Sequence, residues 1–233
     1  MLPAFVDTLL PPEAPWRSGL RAARANLLPG VVLQVVALAL VLGYYHVPRV
    51  QESVAGLAAL HQRAGVGFAI ISTAIFGGIL PFLFLRLSAD ARGSRYDGAQ
   101  GLALTLFWAY KGLEVDLWYR LQAFTVGSGH TPGIIVLKVF LDQFVYCPVW
   151  AVPLTTLVYA WVGSHFAGRA VAADVRSSGW YRRRVLPLLL GNIGVWVPAV
   201  AIIYLLPTPL QLPLQNIVLC FYTLVVAHQV RGS

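Results

Sequence analysis

The chain has 233 residues, of which 58% are hydrophobic and only 11% charged, and its mean hydropathy is +0.71. Soluble domains carry about 45–50% apolar and about 25% charged residues, and a globule of this length still needs polar cover over its surface, so a water-soluble fold is excluded. The net charge of +8 does not point to nucleic acid, because the arginines fall in short stretches between apolar runs rather than along one stripe.

The first 28 residues read as a tail. Its basic residues follow the apolar MLPAFVDTLL instead of preceding it, which excludes a secretory signal, and Asp7 and Glu13 oppose a transit peptide. Arg17, Arg21 and Arg24 share one helical face after Trp16, a pattern that suits an amphipathic segment at headgroup level.

A helix needs about 20 apolar residues to cross the hydrocarbon layer. Six runs qualify as expected spans: residues 29–46, 65–87, 99–121, 133–163, 185–206 and 210–228. The fourth has 31 residues and would reach about 46 Å if straight, so tilt or a bend at Pro148 or Pro153 is expected. The last two spans meet in a turn through PTPLQLP. With these spans, twelve arginines fall on one side and three on the other. Cytoplasmic loops collect basic residues. The predicted fold is therefore an all-α membrane protein, a single domain over residues 1–233, with about six transmembrane helices and both termini cytoplasmic.

Ionisable groups within apolar spans are the informative residues, because they are costly in hydrocarbon and face a bundle interior or a water-filled cavity. The third span carries Lys111, Glu114 and Asp116; the fourth carries Lys138, Asp142 and Gln143. Fifteen of the seventeen basic residues are arginine, and both lysines lie in these spans. In an antiparallel hairpin the pairs Lys111/Asp142 and Glu114/Lys138 fall at matching depth, so a neutral four-charge cluster is predicted. Asp116 is left to reach Arg120, one turn on. Such a cluster could fix helix register, line a path for small solutes or ions, or supply an acid–base group, and the residues alone leave all three open.

Other chemistry has little support. Cys147 and Cys220 sit in apolar runs without metal or disulfide spacing. His46, His61, His130, His165 and His228 are scattered over loops and span ends, with no metal pair among them and no Ser or Cys nucleophile beside a base. No catalytic residue, metal or cofactor is expected. The partner implied is the lipid bilayer, with a small solute or ion. Span-end aromatics such as Tyr44, Tyr45, Trp118, Trp161 and Trp180 suit interfacial belts, and Gly77–Gly78 suits close helix approach.

The stretch from Trp118 to Trp150 resembles the signature of the Mpv/peroxisomal-membrane-protein family of small organellar membrane proteins. Gly112 precedes a Trp-Tyr pair, Trp118 and Tyr119; Lys138 then leads into Asp142 and Gln143, and Pro148 follows. Towards the C-terminus Asn192, Trp196, Pro198, Tyr204 and Pro207 resemble the family's Asn…Trp-Pro…Tyr…Pro run, with one residue inserted between Trp and Pro. His61 and Gly77 stand sixteen apart, as in the family, so the likeness covers residues 57–228. Gly78 stands where the family has Asp, and Gln211 where it has Arg. The resemblance implies a pore-forming or solute-permeability role. Family members occupy mitochondrial inner or peroxisomal membranes; the arginine-heavy usage and the missing transit peptide point instead to a bacterial cytoplasmic membrane.

Overall fold

The computed structural model describes residues 27–87 and 96–229, together with Arg17, Leu20, Arg21 and Arg24. The first sixteen residues, Arg92, Arg95 and Arg231 lie outside the described residues. Every regular element described is helical: α1 (Leu27–His46), α2 (Pro48–Ala64), α3 (Val66–Leu87), α4 (Gly98–Thr125), α5 (Pro132–Gly163), α6 (Gly168–Arg176), α7 (Tyr181–Ile203) and α8 (Thr208–Gln229).

Three of these, α3, α5 and α7, are long and apolar enough to cross a membrane by themselves. α1 and α2 pass the same test only together, and they are bent by 102° at their junction. The all-helical, membrane-compatible character is therefore plain. The six-span count does not follow from length and apolarity alone: α4 carries Lys111, Glu114, Asp116 and Arg120, and α8 is not among the spans found within the described residues. The exposed sides of α1 (Val31, Val32, Val35, Val36) and α5 (Val136, Phe140, Phe144, Val149) are apolar, as lipid contact requires.

Residues 48–64 are the clearest departure from expectation. They form α2 and not a connecting loop. The reason is a narrow inward stripe: Val50, Val54, Ala58 and His61 recur at helical spacing and turn inward from an otherwise exposed helix.

The core is built around α8. Leu210, Leu212, Leu214 and Val218 pack with Leu33, Ala37 and Val41 of α1, Val115 and Tyr119 of α4, and Val195, Ala199, Val200 and Ile203 of α7. α3 and α4 approach closely because glycines line their seam. A Cβ on Gly112 would lie 2.1 Å from the Ala69 carbonyl oxygen, one on Gly78 2.7 Å from Thr105 Cα, and one on Gly77 2.7 Å from the Trp108 ring. Only glycine permits that spacing.

α4 starts at a reciprocal cap. Asp97 Oδ1 accepts from the Gln100 backbone N–H at 2.8 Å, while Gln100 Oε1 accepts from the Asp97 N–H at 2.9 Å. α5 runs 32 residues without a break, and Pro148, one of the two prolines where tilt or a bend is expected, lies in a widened π-helical stretch, Leu141–Ala151. Proline has no N–H and its ring clashes with the carbonyl four residues back; the wider turn relieves both conflicts locally.

Candidate functional site

α4, α5 and α7 bring the intramembrane charges together, but not as the predicted four-membered cluster. Lys111 donates to Glu114 within α4 and to the Tyr146 hydroxyl of α5 at 3.0 Å. Tyr146 in turn donates to Glu114. Its ring stacks on Trp118, centroids 4.7 Å apart, and lies 5.3 Å from Lys111 Nζ. These four side chains form one closed knot.

Lys138 and Asp142 belong to a second group. Asp142 Oδ2 accepts from the Tyr204 hydroxyl at 3.0 Å, and Cys147 Sγ lies 4.0 Å from Oδ1. Lys138 Nζ sits 5.6 Å from the centroid of the Tyr204 ring, a cation–π arrangement. Neither the Lys111–Asp142 nor the Glu114–Lys138 ion pair closes among the described residues. Depth was the only quantity the hairpin register supplied. The π-helical stretch beginning at Leu141 directs Asp142 towards α7, and the Tyr146 hydroxyl already engages both Lys111 and Glu114.

Gln122 ties the two groups. With its amide oriented to suit its neighbours, its oxygen accepts from Trp118 Nε1 at 2.6 Å and faces the Tyr204 hydroxyl at 2.7 Å, while its nitrogen donates to the Lys138 carbonyl at 3.2 Å. Tyr204 thus has one hydroxyl proton for two acceptors, Gln122 and Asp142. Lys111 and Asp142 are 5% exposed and Lys138 2%, while Glu114, Trp118 and Tyr146 are half-buried.

The remaining motif residues are dispersed. Among the described residues Gln143 reaches Cys147 Sγ, at 3.7 Å, and does not join the charges. Pro148 offers its carbonyl to the Tyr181 hydroxyl at 2.9 Å. Gly112 lies in the α3–α4 seam, and Tyr119 donates to Gln215 of α8. Asn192 accepts from Tyr222 at 2.6 Å, beside Trp196, whose ring meets Tyr222 edge-on at 5.7 Å. Pro198 lies inside α7. Pro207 borders a hollow of about 490 Å³ between α2 and the start of α8, away from the charges.

Three sets of polar contacts went beyond the sequence reading. Asn216 accepts from Thr73 and donates to Ser72, each at 2.9 Å, joining α8 to α3. Tyr204 and Gln122 link the two charge groups. His61, expected in a loop, is 3% exposed and lies 2.9 Å from Asp116. Asp116 also accepts from Arg120 at 2.8 Å. A signal for His61 existed in its position on the inward stripe of residues 50–61.

No family model, curated protein or solved structure compared with the chain matches it.

Proposed function

We propose that the chain is an integral membrane protein of about six spans, with both termini on the cytoplasmic side, and that Lys138 and Asp142 line a narrow path for small solutes or ions. One observation carries this reading: Lys138 and Asp142, of opposite charge and nearly fully buried on one long helix, make no ion pair among the described residues. A buried charge in hydrocarbon is costly, and a device that only locked register would be expected to pair them. The positions concerned also carry the likeness to the Mpv/peroxisomal-membrane-protein family, and we place the chain there on that resemblance. The arginine distribution supports the orientation and a bacterial cytoplasmic membrane. On this reading the protein is not an enzyme.

The test is solute and ion flux across liposomes holding the wild type, Lys138→Ala or Asp142→Asn. Flux above that of empty vesicles, altered in both variants, is expected. Equal leak from all of them would reject a path.

A second reading rests on the Lys111–Glu114–Tyr146 knot, in which each side chain bonds the other two. Here the charges hold α4 against α5, and the protein has a structural or assembly role without transport. It expects single variants of Lys138 and Asp142 to be degraded, and the exchange of the two charges to restore the fold.

A further inference from the structure

α2 is joined to the rest of the molecule by single residues at both ends. Val47 separates it from α1, and Gly65, at φ +54°, separates it from α3. A positive φ of this kind favours glycine, and nothing lies within 4 Å of where a Gly65 side chain would begin. Along its whole length α2 buries one residue, His61. Val54 and Ala58 pack against the core from the same face, and His61 is the buried polar side chain that ties this surface helix to its neighbours.

Both ring nitrogens of His61 meet groups that accept. Nδ1 lies 2.7 Å from the Pro209 carbonyl at the start of α8, and Nε2 lies 2.9 Å from Asp116 Oδ1 on α4. A carbonyl cannot donate. The other Asp116 oxygen accepts from Arg120 Nε at 2.8 Å, which keeps the carboxylate an acceptor. A neutral imidazole has one N–H and a protonated one has two, so only the imidazolium satisfies both contacts. The ring also stacks on Phe68 of α3, with centroids 4.9 Å apart.

We propose that His61 latches α2 to α4 and α8 as an imidazolium, and that loss of its proton to solvent releases α2 to swing on Val47 and Gly65. The charged groups facing His61 are Asp116 and Arg120, both from α4. α3 contributes the Phe68 ring and α8 the Pro209 carbonyl, neither of which titrates. The hollow of about 490 Å³ lies along the same seam, bounded by Gln51, Ala55, Ala59 and Gln62 of α2 and by Pro207 and Pro209. Release therefore opens this hollow, and as the pH rises the change is towards the loosened form. The latch is independent of whether Lys138 and Asp142 line a path.

The experiment uses the full chain in lipid nanodiscs, with Cys147 and Cys220 replaced by alanine and a spin label on Ala55→Cys. Label mobility is followed from about pH 5.5 to about pH 8.5, across the ordinary histidine range. The wild-type background is expected to show a several-fold rise in mobility along a single titration. His61→Gln is expected to be mobile and flat across the range. Arg120→Gln, which removes a cation that opposes the imidazolium, is expected to move the midpoint upward by about half a pH unit or more. Flat mobility in the background, or a titration that persists in His61→Gln, would overturn the latch. If His61→Gln does not fold, Arg120→Gln decides alone: a shifted midpoint supports the latch and an unshifted one overturns it.

Discussion

Asp116 and Asp142 are equally hidden, at 3% and 5% exposure, and yet their surroundings are opposite in kind. Asp116 has His61 at 2.9 Å and Arg120 at 2.8 Å, one for each oxygen. Asp142 has a tyrosine hydroxyl at 3.0 Å and a thiol at 4.0 Å. The first carboxylate is held by ring and guanidinium nitrogens on two helices. The second makes no ion pair among the described residues and shares its hydroxyl donor with Gln122. Burial alone therefore says little about what a charge does; the two carboxylates differ in their partners. Both come from similar sequence surroundings, an apolar helix with a basic residue within one turn.

The widest gap between the two should appear on removing each carboxylate. Asp116→Ala strands His61 and Arg120 and is expected to cost about 3–5 kcal/mol, seen as a large loss of thermal stability in detergent. Should Asp116→Ala prove silent, the contrast collapses. Next in size is the seam that positions α4 for both sites. Gly112→Ala would press a Cβ to 2.1 Å from a backbone oxygen; forcing α3 and α4 apart is expected to cost about 1–3 kcal/mol or more, measured by the same melt. Tyr146→Phe removes a hydroxyl that serves Lys111 and Glu114 together. A loss of about 1–3 kcal/mol is expected, since a buried carboxylate loses a donor. A smaller loss would mean that the Lys111–Glu114 pair stands without Tyr146.

The smallest effect sharpens the comparison most. Asp142→Asn keeps the shape, removes an unpaired buried charge and supplies an amide that can donate to the Tyr204 oxygen. Stability is expected to change by less than about 1 kcal/mol. A collapse as large as that of Asp116→Ala would show Asp142 to be structural too, and would favour the reading without a path.

Much of the fold was legible along the chain. The long apolar runs became α1, α3, α5 and α7. The Asp116–Arg120 contact also followed from spacing, because partners four apart on one helix need no tertiary information. The cross-helix pairs did not follow. Matching depth brought Lys111 and Glu114 to the level of Asp142 and Lys138, but direction around the helix axis depends on the π-helical stretch at Leu141, which depends on Pro148 and on neighbours from other helices. α2 was hidden for another reason. Its apolar stripe is one residue wide, too thin to stand out against polar neighbours.

What the sequence determined by itself was the solvent this protein needs and the helical form it takes there, since composition and run length act residue by residue. It also named the ionisable side chains that bear the cost of burial. Which of them met was decided only when α7 and α8 packed against α4 and α5. Tyr204 and Gln122 come from distant parts of the chain, as do His61 and Pro209, and hydrogen bonds between such groups form by approach in space, which no local spacing encodes.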